Sequence, residues 1–265
     1  MISAFDSVAE NYDAKFTQTT IGSAQREIVW TYLYKTLSDK KNLRILELNC
    51  GTGEDAIWFA NKGHTVLATD ISEKMLQVTE QKAQRYQLND RIKTKKIDIT
   101  KIEESNLIEK FDLIFSNFGG INCLEFKELF KLPDSLSKLI NPGGRLIMVI
   151  MPTFCWWEMF YFTLKLNLKK AFRRSSIKRV KVKLNGEEIL VEYYTPILVN
   201  KIFRKDFKQV GLKPVGFFIP PSYLERFLST KYRTFNFIKR LESLVTNRSL
   251  LANYSDHYLI DFIKK

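Results

Sequence analysis

A chain of 265 residues, 45% of them hydrophobic, suffices for one large domain with a sizeable core. Three scattered cysteines exclude a disulfide framework and point to a reducing compartment; with only two histidines they offer no zinc-site spacing, so no metal is expected. The net charge of +13 points to an anionic partner: nucleic acid, an anionic membrane surface or an acidic protein.

Taken in chain order, the segment from Met1 to Asp13 has acids and no basic leader, so it does not read as a signal peptide. The stretch from Ile45 to Ala56 then reads as a buried strand, a glycine turn at Gly51-Thr52-Gly53 and the start of a helix over Glu54–Asn61. Thr65–Asp70 is a second strand ending in an acid, 19 residues after Gly51. A helix over Glu73–Leu88 leads to a third strand, Ile92–Asp98, and a fourth spans Phe111–Asn117. A helix over Leu124–Ile140 precedes a fifth strand, Gly144–Met151. Alternation of buried strands with helices predicts a parallel sheet covered on both faces.

In an open sheet of this kind a ligand sits at the glycine turn, beyond the carboxyl ends of the strands. Gly51 and Gly53 let the backbone approach it without a Cβ in the way. The spacing fits the dinucleotide fingerprint, but Glu47, Glu54 and Asp55 surround the turn. Three carboxylates disfavour a diphosphate on the helix N-terminus and favour a cation. S-adenosylmethionine, with its sulfonium and ammonium groups, suits them. The same acids also serve the helix dipole.

These segments together resemble the class I S-adenosylmethionine-dependent methyltransferases. Glu47 to Gly53 resembles the first motif of that family, with Asn49 where the family usually has glycine; asparagine tolerates the left-handed backbone needed there. Asp70-Ile71 resembles the pair that holds the ribose and covers the adenine, with Met75 following, and Asp98-Ile99 the pair that contacts the adenine. Ser116-Asn117-Phe118 resembles the turn near the methionine end of the cofactor. Phe5 to Asp13 resembles the leader of small-molecule members, where Tyr12 closes over the cofactor. The resemblance implies a Rossmann-like α/β fold: a seven-stranded, mostly parallel sheet with an antiparallel last strand, as one methyltransferase domain over 1–265. It implies S-adenosylmethionine as cofactor.

The second half departs from a plain core. An insert over Thr153–Pro196 begins as an aromatic helix that turns basic: nine Lys and Arg residues, and no acid, lie from Lys165 to Lys183. Phe160, Leu164, Leu168 and Phe172 fall on one helical face, which either packs on the core or lies on an anionic membrane. Val180–Leu184 and Ile189–Tyr194 around Asn185-Gly186 read as a hairpin. A helix over Phe203–Val210 stops at Gly211, a sixth strand spans Lys213–Ile219, and Tyr258–Ile263 returns antiparallel. A second excursion, Pro220–Tyr254, carries Tyr223, Phe227, Tyr232, Phe235 and Phe237. Both excursions are expected to form a cap, with Trp156, Trp157, Phe160 and Tyr161 lining an apolar acceptor pocket beside Phe235.

Methyl transfer needs alignment and a dry site more than a strong base. His257 and Tyr12 are the candidate catalytic side chains; His64 falls at the amino end of the sheet. Asn117-Phe118-Gly119-Gly120 lacks the prolines of amino-methylating enzymes. The expected activity is methyl transfer to a small lipophilic or aromatic acceptor, free or carried by an acidic protein or a membrane surface. The alternatives are an RNA methyltransferase that uses 165–183 as its nucleic-acid surface and a binding protein without activity. No apolar run reaches the ~20 residues of a membrane span, so the expected location is the cytoplasm, including its membrane periphery.

Overall fold

In the computed structural model, which describes residues 4–176, 179–184 and 187–265, the strands of the first half form the parallel part of one sheet. These are β1 (Arg44–Leu48), β2 (Thr65–Asp70), β3 (Ile92–Lys96), β4 (Phe111–Ser116) and β5 (Ile140–Ile150), all paired in parallel. A separate hairpin follows, β6 (Val180–Leu184) with β7 (Glu187–Val191). β8 (Phe207–Val215) and β9 (His257–Lys264) complete the main sheet in the order β3-β2-β1-β4-β5-β9-β8, with β9 antiparallel to both neighbours. The seven-stranded arrangement is the expected one.

Strand periodicity divides the core into two faces. Ile45, Val66, Leu113, Phe115, Ile147 and Val149 meet α1 (Thr20–Leu37), α2 (Glu54–Asn61) and α3 (Glu73–Arg85) on one side. Leu46, Leu48, Ile114, Leu146, Met148 and Ile260 meet α4 (Phe126–Leu139) on the other, along with the later helix that ends at Phe203. Both faces of the strands are buried, as a parallel sheet requires.

Several boundaries differ from the sequence reading. β3 stops at Lys96, so Asp98 is free to cap a short 3-10 segment through the Thr100 amide. β5 starts at Ile140, before the expected Gly144. The helix expected over Phe203–Val210 is displaced: Thr195 accepts from the Leu198 amide and Pro196 takes the first helical position. The helix is therefore α7 of the final count, Pro196–Phe203, preceded by α5 (Trp156–Leu164) and α6 (Leu168–Ala171). Phe207–Val215 pairs with β9 instead, so the sixth strand is longer and earlier than Lys213–Ile219. Gly211 is not a helix stop. It lies at a register shift in β8, where a Cβ would stand 2.2 Å from the Tyr32 hydroxyl.

The insert is not one amphipathic helix. α5 ends at Leu164 with Lys165 as its cap, Leu166 takes φ 54°, and α6 is a single turn. Phe160, Leu164, Leu168 and Phe172 do not pack on the core; all four are exposed. The second hairpin strand runs Glu187–Val191 rather than Ile189–Tyr194, and the expected turn residues Asn185 and Gly186 lie outside the described residues.

The second excursion holds α8 (Glu225–Leu228) and α9 (Tyr232–Val245). It packs on the N-terminal half of α1, where Ile21, Ala24, Ile219, Leu228 and Phe235 form a small core. The Glu225 carboxylate accepts the Thr20 and Ile21 amides at 2.8 and 2.9 Å, capping α1. Phe235 is thus a core residue, not part of an acceptor pocket. Glu242 of α9 accepts the amides of Gly216, Phe217, Phe218 and Ile219 at 2.6–3.1 Å, fixing the loop after β8. Among the described residues, no helix is long and apolar enough to cross a membrane.

Candidate active site

The turn after β1 is left-handed three times: Asn49 has φ 54°, Gly51 φ 55° and Gly53 φ 74°. Asn49 therefore adopts the conformation its residue type tolerates. A Cβ at Gly53 would come 2.4 Å from the Thr79 side chain, so α2 and α3 close only over glycine there. At Gly51 nothing lies within 4 Å of a Cβ position, because the turn borders open space.

That space is a cavity of 670 Å³ beyond the carboxyl ends of β1, β2 and β4, within the usual range of about 300–1,000 Å³ for ligand pockets. Its cofactor-side wall contains Tyr12, Asn49, Gly51, Asp70, Ile71, Met75, Asp98, Ile99 and Asn117, all anticipated from the sequence. Asp70 accepts the Gly51 and Ser72 amides, each at 2.9 Å, and so ties β2 to the turn. Burial raises its carboxyl, and these amides work against the rise.

Glu47, Gly53 and Ser116 lie outside the lining. Glu47 Oε2, Asn49 Oδ1 and Ser116 Oγ are buried oxygens without a hydrogen-bond partner in the protein. Burial and the neighbouring Asp55 push the Glu47 carboxyl well above its ordinary range.

The carboxylates around the turn are less negative than their sequence suggests. Asp55 is ion-paired with Arg26 and also accepts Trp30 Nε1 at 2.6 Å and Asn117 Nδ2 at 2.9 Å. Glu54 meets Lys82 at 3.0 Å, and Lys82 reaches Asp13 at 2.5 Å. The Thr52 hydroxyl donates to Asp13 at 2.6 Å, joining the leader to the turn. The three carboxylates are therefore not free: Asp55 and Glu54 are matched by Arg26 and Lys82, and burial disfavours the charged form of Glu47.

Sequence reading missed Arg26. It lies in α1 with no motif around it, and only the fold brings it to Asp55. Burial works against its charge, but Asp55 outweighs burial and raises its pKa. Its guanidinium stands 4.9 Å from the Phe118 ring centre.

Of the opposite wall, sequence reading reached only Phe118. That wall comprises Phe118, Gly119, Gly120, Cys123 and Leu124 after β4, together with Arg179, Glu188, Ile189 and Leu190 of the hairpin. Arg179 donates to the carbonyls of Cys123 at 2.8 Å and Leu190 at 3.2 Å, fastening the hairpin to the wall. Gly120 is obligatory, since its Cβ would stand 2.6 Å from Asn49 Cβ. Burial pushes the Cys123 thiol up to about 11 and also raises Tyr12, so both are protonated near neutrality.

The expected aromatic pocket is absent from this lining. The indoles of Trp156 and Trp157 donate to the carbonyls of Phe217 and Phe218, the latter at 3.0 Å. Tyr161 packs against Tyr223, and Phe160 is exposed. None of these four lines the cavity. His257 is outside it too: its ring stands edge-on to Phe118, with Nδ1 3.3 Å from Asp256 Oδ2. His64 accepts the Leu43 amide at the amino end of the sheet.

Much of the basic insert is paired internally. Arg174 is buried and bonds Glu158 at 2.9 Å and Asp256 at 2.6 Å, while Arg173 meets Glu158 at 2.6 Å. Arg179 meets Glu125 and Lys181 meets Glu188.

Residues 45–144 match the family model described as a methyltransferase domain. A demethylmenaquinone methyltransferase of Clavibacter sepedonicus is 31% identical over 144 residues, covering 54% of this chain and 55% of that protein. A tRNA 5-carboxymethoxyuridine methyltransferase of Escherichia coli K12 is 32% identical over 88 residues, covering 32% of this chain and 34% of that protein. The chain thus spans about half of the first relative and a third of the second. A solved S-adenosylmethionine-dependent methyltransferase from Clostridium acetobutylicum superposes with a TM-score of 0.61 at 14% identity, over 98% of this chain and 99% of that one.

Proposed function

We propose that this chain, a class I S-adenosylmethionine-dependent methyltransferase by its fold and its matched domain, transfers a methyl group to a small lipophilic or aromatic acceptor. The observation that carries the reading is one cavity that borders both the glycine turn and the apolar residues Phe118, Leu124 and Ile189.

The residues fit S-adenosylmethionine. Asn49 Oδ1, a buried acceptor without a protein donor, lies in a cavity-lining residue beside Gly51 and suits an ammonium group. Asp70 at the end of β2 and Asp98 just after β3 are carboxylates for ribose hydroxyls and the adenine amine, with Ile71 and Ile99 beside them. When bound, S-adenosylmethionine supplies an electrophilic methyl on a sulfonium, open to direct displacement.

The chain's own contribution is alignment and exclusion of water. Phe5 and Tyr12 of the leader line one side, and Ile189 of the hairpin lines the other. Tyr12 and Cys123, held protonated, serve as donors or as bulk and not as bases. Among the described residues no histidine lines the cavity, so the reading requires no strong base, and His257 becomes a support for Phe118.

RNA is disfavoured because the insert's arginines are consumed by Glu158, Asp256 and Glu125. The test is calorimetry with S-adenosylhomocysteine, then radiolabelled methyl transfer from S-adenosylmethionine into a fractionated lysate. Label is expected in the organic-extractable fraction. Label in RNA would replace this acceptor class with the RNA alternative, and no binding of the adenosyl compound would end the reading.

A further inference from the structure

The basic insert has a part that the cavity does not use. At the elbow between α5 and α6, Leu164, Leu166 and Leu168 are 68%, 92% and 59% exposed. Phe160 and Phe172 flank them and are about half exposed. Five large apolar side chains within thirteen residues turn outward, which is unusual for a surface without a partner.

Lysines interleave with this apolar surface. Lys165 sits 4.4 Å from the Tyr161 ring centre and Lys170 5.7 Å from that of Phe162. Tyr161 and Phe162 both contact Tyr223, at 5.7 and 5.6 Å, which joins the elbow to the stretch leading into α8. There Phe227 is also exposed, with Lys231 stacked on its ring at 3.9 Å. No acid occurs in the sequence between Glu158 and Glu187, and Glu158 itself is buried against Arg173 and Arg174. The local charge is therefore positive around an apolar tip.

We propose that the α5–α6 elbow docks on an anionic lipid bilayer, its leucines entering the headgroup–acyl boundary and its lysines meeting lipid phosphates. A bilayer supplies both chemistries at once: hydrocarbon for the leucines and negative charge for the lysines. An acidic protein would account for the lysines but not for Leu166 at the tip. The inference deepens the preceding reading by naming a source for a lipophilic acceptor. Docking has its own readout, so either statement fails without the other.

The experiment is co-sedimentation of the full chain with phosphatidylcholine vesicles and with vesicles that also contain phosphatidylglycerol, at low and high salt. Binding is expected to the anionic vesicles and to fall with salt. Leu166→Ser combined with Leu168→Ser should reduce it at least tenfold. Lys165→Ala, Lys169→Ala and Lys170→Ala should each reduce it about fivefold. All these variants should keep the wild-type melting temperature and S-adenosylhomocysteine affinity, since the side chains are exposed and remote from the cavity lining.

Absence of binding, or equal binding to both vesicle types, overturns the proposal. Salt-sensitive binding that survives the leucine substitutions also overturns it, because it shows charge attraction to lipid without insertion of the elbow. A concentration-dependent dimer in light scattering, abolished by the leucine substitutions, overturns it in favour of a second copy on this face.

Discussion

The two halves of the insert between β5 and α7 use their apolar residues in opposite ways. The hairpin half lines the cavity at Ile189 and is fastened there by Arg179. The aromatic half anchors Trp156 and Trp157 on the loop after β8 and sends Leu164, Leu166 and Leu168 outward. Between them Arg174 pins the segment to Glu158 and Asp256, 16 and 82 residues away. A run that is uniformly basic in sequence is thus an internal clamp at its centre and a surface at one end. Partners decide which, because a buried guanidinium persists only where carboxylates neutralise it.

The largest expected effect comes from breaking that clamp. Arg174→Met leaves Glu158 and Asp256 buried without their shared partner and should cost about 3–5 kcal/mol in urea unfolding; a loss under about 1 kcal/mol would show that the clamp is not structural. Burial acts to raise both carboxyls. His257 and Arg174 outweigh it at Asp256, as do Arg174 and Arg173 at Glu158, so both titrate below their unfolded values. Their contribution is complete above the unfolded carboxylate pKa of about 4 and is lost as pH falls through the folded values. The wild type should lose stability over that acid range, and Arg174→Met should lose less.

Smaller effects are expected at the cavity. Asp70→Ala removes the acceptor for the Gly51 and Ser72 amides and should weaken S-adenosylhomocysteine binding by about 1–3 kcal/mol, read by calorimetry. Gly120→Ala drives a Cβ against Asn49 and should cost a similar about 1–3 kcal/mol of stability by overpacking. Ile189→Asp should raise the acceptor KM about tenfold or more with cofactor affinity unchanged. Trp157→Ala should do the reverse: acceptor KM steady, and a stability loss below the about 3–5 kcal/mol of a fully buried tryptophan. If Trp157→Ala changes acceptor KM and Ile189→Asp does not, the two halves of the insert have been assigned the wrong way round.

The smallest effect sharpens the contrast. Phe160→Ser, at an exposed position, should change stability within about 0.5 kcal/mol while lowering attachment to anionic vesicles. A melting temperature that falls steeply would show that the aromatic half is a buried face after all.

The sequence alone determined the sheet and the glycine turn. Buried runs at β1, β2 and β4 and the left-handed positions at Asn49, Gly51 and Gly53 are local properties: side-chain hydrophobicity and backbone sterics act within a few residues. Much of the cofactor-side wall follows, because strand ends in a parallel sheet all open to one side. Helix and strand limits around Phe203 depended on Thr195 and Pro196 as a start signal, which was present in the sequence and outweighed by the glycine at 211. What only the tertiary structure decided is charge and direction. Asp55 finds Arg26 29 residues away, and Arg174 finds Asp256 at 82. No periodicity records such a pairing, because Coulomb attraction and burial act through space. For the same reason, the face on which an aromatic side chain ends, lining, core or surface, was fixed by what the rest of the chain placed opposite it.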